Sequence, residues 1–185
     1  VWMGMDKGRY GFYDKKKDTT IIKEIQSVAR TTEFRSIAGN KEAIFILAVG
    51  NPAMLIRIDK KTLEETVVYK EKHEKVFYDS MQFVDDLNGF AMGDPIENCL
   101  AFIKTTDGGK TWQKVNCDVL PKVSEGEAAF ATSNTNLKIK GKSIFMVSGG
   151  KKSRVFGSKD FGGSWKGYET PIVQGEEMTG IFTAD

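Results

Sequence analysis

The sequence predicts an all-β fold, a β-propeller segment of about four four-stranded blades, and three observations carry that reading. One pattern recurs four times: an apolar strand ending in Gly, a loop, a second strand ending in Asp, a short turn and a third strand. Two independent markers agree on its period. Asp14, Asp59, Asp107 and Asp160 are spaced 45, 48 and 53 residues apart, and Gly4, Gly50, Gly93 and Gly149 are spaced 46, 43 and 56 apart. Twelve Phe, five Tyr, three Trp and 19 Gly against four Pro favour strands joined by tight turns. Four short strands in ~45 residues are the signature of a propeller blade.

The elements follow in chain order. Trp2-Met3-Gly4 and Phe12-Tyr13-Asp14 open the first repeat, and Thr19-Thr20-Ile21-Ile22 is β-branched enough that 20–28 reads as strand rather than helix. The apolar stretches before Gly50, Gly93 and Gly149, and those leading to Asp59, Asp107 and Asp160, supply the matching strands of the next three repeats. A further strand closes each repeat, at 34–38, 77–83, 127–131 and 179–183. The whole chain, 1–185, is read as a single partial propeller domain with repeats at 1–38, 39–83, 84–131 and 132–185. Val1 stands where an initiator Met would, and both ends read as cuts in a longer chain, so a ring of about six to eight blades is expected. An open segment would expose unpaired strand edges, which makes homodimerisation through those edges an expectation.

Two turns carry a fuller motif, Ser/Thr-x-Asp-x-Gly-x-Ser/Thr-Trp. Thr105, Asp107, Gly109, Thr111 and Trp112 form one; Ser158, Asp160, Gly162, Ser164 and Trp165 form the other. The carboxylate can accept the turn's N–H groups, Gly supplies positive φ, the hydroxyls add local bonds, and Trp plugs between neighbouring strands. In the earlier repeats the motif has decayed. Asp59-Lys60-Lys61-Thr62-Leu63 puts Leu where Trp would stand, and Asp14-Lys15-Lys16-Lys17 keeps only the Asp. Such a turn holds an outer corner and is nearly silent about function.

On these motifs the chain resembles the Asp-box (BNR) repeat proteins, the sialidase-like propellers among them. Phe77-Tyr78-Asp79-Ser80-Met81-Gln82-Phe83, Gly89-Phe90-Ala91-Met92-Gly93-Asp94-Pro95, Gly126-Glu127-Ala128-Ala129-Phe130, and Thr170-Pro171 leading to Gly180-Ile181-Phe182 make it more closely similar to the photosystem II stability and assembly factor-like proteins. That resemblance implies more blades than are present, export to a periplasmic or extracellular space, no established catalysis and no cofactor. Sialidases of the superfamily use an arginine triad for a carboxylate, a Tyr nucleophile helped by Glu, and an acid Asp. Phe34-Arg35-Ser36-Ile37 faintly resembles their Phe-Arg-Ile-Pro, but it lacks the Pro and follows a blade instead of preceding the first. An oxidoreductase finds no support: Gly-x-Gly-x-x-Gly after a strand, Cys-x-x-Cys and a haem site are all missing from the sequence.

Composition narrows the partners. With 27 basic and 25 acidic residues the net charge is +2, which gives no broad cationic field for nucleic acid or an anionic membrane. The longest apolar run, 43–49, is seven residues and too short to span a bilayer. His73, the sole histidine, lies in a polar loop, and Asp107-Gly108-Gly109 lacks EF-hand spacing, so no metal site is read. Cys99 and Cys117 fall on the two strands of one hairpin. With a turn at 107–110, Thr106 faces Thr111 and Cys99 faces Asp118, which points the thiols to opposite faces and favours reduced cysteines over a bridge.

In a propeller, loops gather around one mouth of the central channel. That places Arg35, Asn51, Tyr78, Asp79, Asp94, Glu127, Arg154 and Glu177 on a shared surface, beside Pro52, Pro95 and Gly149-Gly150. A concave site of these residues could take a peptide, a polar ligand or a glycan. The structural alternative stands beside it: Gly93-Asp94-Pro95 suits a turn, while Arg35 and Glu127 are costly beside inward-facing strands unless paired or used. The expected function is therefore a non-catalytic binding or assembly scaffold, with no catalytic residues assigned. The alternative is a sialidase-like glycan-binding protein or glycoside hydrolase.

Overall fold

The structure is a computed structural model describing residues 1–130 and 134–185. Ala131, read above as the end of a strand and of the third repeat, lies outside the described residues. Among the described residues every regular element is a strand, and none forms a helix long and apolar enough to cross a membrane. The first sheet is three-stranded: β1 (Trp2–Gly4), β2 (Arg9–Asp14) and β3 (Thr19–Glu24). The second runs β4 (Phe34–Gly39), β5 (Ala43–Ala48), β6 (Ala53–Asp59), β7 (Glu65–Glu71). The third runs β8 (Tyr78–Phe83), β9 (Gly89–Pro95), β10 (Leu100–Thr105), β11 (Gln113–Lys114). In the fourth region β12 (Glu127–Ala128) pairs with β15 (Gly149–Gly150). Beside them β13 (Leu137–Lys140), β14 (Ser143–Val147), β16 (Arg154–Ser158) and β17 (Lys166–Glu169) make a four-stranded sheet. All pairings are antiparallel.

The period-2 alternation of strands explains how these sheets stack. Every residue of β5 is buried, because both of its faces meet another sheet. Ala43, Phe45 and Leu47 point into a cluster with Tyr78, Ala91, Ile103 and Trp112 of the third sheet. Their neighbours Ile44, Ile46 and Ala48 point the other way, into a cluster with Tyr10 and Ile25 from the first sheet and its exit. The third sheet repeats the device: Phe90, Met92, Leu100 and Phe102 face Leu137, Ile144, Met146 and Phe156 of the fourth. Apolar layers thus alternate with sheets along the chain, and the leading strands lie side by side, β1 by β4, β4 by β8 and β8 by β13. The arrangement is all-β and propeller-like in part.

The pairing corrects the phase of the repeats. Phe34–Gly39 and Tyr78–Phe83 do not close the sheets that precede them; they pair with β5 and β9 and open the sheets that follow. The first sheet consequently has three strands, not four. In the fourth region the opening strand is split. Glu127–Ala128 pairs only with Gly149–Gly150, and Leu137–Lys140, which the sequence reading passed over, pairs with β14.

All four marker aspartates cap turns. Asp107 Oδ1 accepts the N–H groups of Lys110 and Thr111 at 3.0 Å, its Oδ2 accepts the Thr111 hydroxyl at 2.7 Å, and Thr105 Oγ1 donates to it at 2.8 Å. Asp160 repeats this with Ser164 N–H at 2.9 Å, Ser164 Oγ at 2.7 Å and Ser158 Oγ at 2.8 Å. Asp59 keeps the amides of Lys61 and Thr62, and Asp14 keeps only that of Lys16. Burial pushes the Asp107 carboxyl up, but the Thr111 hydroxyl and amide outweigh it and hold it at about 2. The two tryptophans reach the preceding sheet: Trp112 meets Phe45 edge-on at 6.1 Å, and Trp165 meets Phe102 at 5.5 Å.

The cysteines overturn the expectation of reduced thiols. Cys99 and Cys117 form a disulfide with Cα atoms 5.7 Å apart. The register inferred from the turn is right where strands exist, with Ile103 opposite Lys114. It cannot be extended to position 117, because β11 ends at Lys114. The chain then turns, with Leu120 N–H donating to Cys117 O at 3.3 Å, and swings Cys117 back over Cys99. The bridge closes a loop of 18 residues in sequence separation, which on chain entropy contributes about 3 kcal/mol. A Cys99→Ala/Cys117→Ala variant is expected to lose that much in urea unfolding; an unchanged midpoint would contradict the pairing.

Candidate functional site

Two β-bulges build the centre of the site. In β4, Phe34 lies opposite Ala48 while Ser36 lies opposite Leu47, leaving Arg35 as the extra residue. In β8, Tyr78 lies opposite Gly93 and Ser80 opposite Met92, leaving Asp79 as the extra residue. A bulge frees a side chain from the two-fold alternation and re-aims it. Because β4 and β8 are adjacent leading strands, Arg35 and Asp79 occupy corresponding places on neighbouring sheets. Gly93 is required there: a Cβ on it would stand 2.0 Å from Phe77 O.

Asp79 is 1% exposed, and among the described residues neither carboxylate oxygen has a hydrogen-bond partner. Desolvation, with repulsion from Asp94, pushes it up to about 8, and Arg35 offsets only part of this. Asp94, at the end of β9, is pushed up to about 6 by burial, moderated by the Ala129 N–H that donates to its Oδ1 at 3.0 Å. Arg35 is ion-paired with Glu33 at 3.6 Å and lies 5.7 Å from the centre of the Phe77 ring.

Beside this cluster lies a buried ion pair. Glu127 accepts Arg154 Nε at 3.0 Å through one oxygen and Arg154 Nη2 through the other, together with the Ser124 amide at 2.8 Å and the Ser148 hydroxyl. Arg154 also donates to Lys122 O at 2.8 Å and covers the Phe156 ring at 4.8 Å. The Glu127 hydrogen bond raises the Arg154 pKa above its usual range. An open groove of about 610 Å³ runs past both features, lined by Lys75, Asp94, Pro95, Glu125 and Glu127 among others.

The structure therefore brings Arg35, Asp79 and Asp94 together, and joins Glu127 to Arg154 next to them through Ala129. Asn51 is exposed beside the cis Asn51-Pro52 bond, and Glu177 is exposed on the loop before Gly180, which bridges to Gly149. Tyr78 turns elsewhere. Its hydroxyl donates to Glu71 Oε2 at 2.8 Å, as does that of Tyr69, and Lys114 pairs with the other Glu71 oxygen. Burial carries the Tyr78 phenol far above its ordinary range. This cluster staples the second sheet to the third. It was not read from the sequence, although Tyr69 and Glu71 stand two apart on one strand face. Among the described residues no group of three or more His, Cys, Asp and Glu is arranged to hold a metal.

No protein-family model matches the chain, and no curated protein matches it either. Solved structures do. A structure of YCF48 bound to D1 peptide superposes with a TM-score of 0.51 at 19% sequence identity, covering 74% of this chain and 41% of that one. The likeness is one of fold, and the chain spans less than half the length of that relative.

Proposed function

We propose that the chain is a segment of an Asp-box β-propeller of about six to eight blades, of the photosystem II assembly factor-like kind. In this reading it acts as a non-catalytic platform that binds a polypeptide partner. The observation that carries the reading is the cluster of Arg35, Asp79 and Asp94: charged, bulged out of two neighbouring strands and left partly unsatisfied. Buried polar groups in proteins are ordinarily satisfied, and an unsatisfied one beside a groove is consistent with a partner supplied by a ligand. The fold likeness to a structure that holds a peptide supports the same reading. The disulfide supports an oxidising, periplasmic or extracellular setting.

The alternative is a sialidase-like glycan-binding or hydrolytic protein, and the ion pairs weigh against it. All five arginines face carboxylates: Arg9 with Asp6, Arg30 with Glu24, Arg35 with Glu33, Arg57 with Asp59 and Arg154 with Glu127. Of the three needed for a carboxylate-binding triad, the mouth offers Arg35 and an Arg154 whose Nε and Nη2 are already held by Glu127. Selection from a random-peptide display library is expected to yield peptides whose binding is lost in an Arg35→Ala/Asp94→Asn variant. Glu127 is left intact there, since its removal would strand Arg154. Turnover of a fluorogenic sialoside that Arg35→Ala abolishes would sink the scaffold reading.

A further inference from the structure

Two buried carboxylates on neighbouring leading strands differ in one respect. Glu127, 3% exposed, is gripped through both oxygens by the Arg154 guanidinium. Asp79, 1% exposed, has no donor on either oxygen among the described residues. The cation that faces it, Arg35, is held by Glu33 and leaves 39% of its side chain exposed. Asp94 lines the groove, whereas Asp79 lies beneath the surface. Of the charged residues along that groove, Glu97 and Glu125 add negative charge and Lys75 is the cation.

We propose that Asp94, backed by the buried and unpartnered Asp79, receives the guanidinium of an arginine side chain from the partner polypeptide. The inference rests on the polypeptide-binding reading above and names the chemistry of its recognition. A planar fork of N–H donors matches a carboxylate bidentately, which an ammonium does not. A metal is the poorer fit, since two carboxylates fall short of a ligand set. Asp94 makes the contact, and Asp79 supplies the second negative charge from behind it. Asp79 faces Asp94 from β9 and Arg35 from β4, while Glu127 on β12 is neutralised by Arg154. Burial raises the pKa of the Asp79 carboxyl, so a cation seated on Asp94 favours its ionised form. The proton given up by the Asp79 carboxyl goes to solvent, while the guanidinium is unchanged.

Calorimetry on the full chain with N-acetyl-Gly-Arg-Gly-amide, in buffers of different ionisation enthalpy, tests this. About one proton is expected to be released per peptide bound at pH 7, with affinity rising nearly tenfold per pH unit from pH 6 toward 8. Asp79→Asn is expected to abolish the release and weaken binding about tenfold, and the citrulline peptide is expected not to bind. Equal binding of arginine and citrulline peptides, or binding without proton release that Asp79→Asn leaves unchanged, would overturn the proposal. A lysine peptide as tight as the arginine one would overturn the guanidinium assignment. Library peptides that need Arg35 and Asp94 yet contain no arginine would leave the platform reading standing and remove this one. An arginine peptide that behaves as expected, with no library peptide retained, would do the reverse.

Discussion

Asp79→Asn is expected to make the protein more stable at pH 8, in the absence of any ligand. The Asp79 pKa rises from 3.8 to about 8 on folding, first through desolvation. A raised carboxyl pKa means that the folded state holds a proton the unfolded chain releases. The favourable contribution is complete below pH 3.8, declines as pH rises from there, and is gone above about 8. At ~1.4 kcal/mol per unit the full swing is ~6 kcal/mol, of which ~5 kcal/mol has been lost at pH 8. The Asn amide inherits the absence of partners that the neutral carboxyl already has, so that cost cancels and a net gain of several kcal/mol is expected at pH 8. Urea unfolding at pH 4, 6 and 8 reads it: the two proteins should diverge steadily with pH. Equal midpoints throughout would mean that the carboxylate is satisfied.

Arg154→Met is expected to act in the opposite direction, costing about 3–5 kcal/mol, because it leaves the Glu127 carboxylate buried without its guanidinium. The Ser124 amide and Ser148 hydroxyl stay on Glu127 and soften the loss without cancelling it. A Glu127→Leu/Arg154→Met double variant should recover most of the stability, since an apolar pair of similar volume replaces two desolvated charges. If the double variant proves as unstable as Arg154→Met, packing rather than charge explains the site.

The contrast between these two carboxylates also shows what the sequence does and does not disclose. Asp14, Asp59, Asp107 and Asp160 were legible as turn caps because the cap is local: each accepts amides two to four residues away. Which sheet a leading strand joins is not local. Phe34–Gly39 lies between two sheets in sequence and pairs forward, and the Gly and Asp markers fix the strands behind and ahead of it without deciding between them. The Cys99–Cys117 bridge was missed for a related reason: a strand register holds only while the strand lasts. Glu127 and Arg154 were each marked as candidates, yet their partnership, 27 residues apart, needed the fold to bring them together. Tyr78 looked like its neighbour Asp79, and the bulge at Asp79 sends one to Glu71 and the other toward Asp94.

The claim on which the site depends is that Asp79 is a carboxyl group with no donor of its own among the described residues. Carbon-13 NMR of aspartate-labelled protein, with Asp79→Asn to assign the signal, measures it directly. The Asp79 carboxyl carbon is expected to titrate near pH 8 in the free protein, and at a lower midpoint once the arginine peptide is present. A midpoint at or below 3.8 in the free protein would show a carboxylate already paired, and the site described here would not exist.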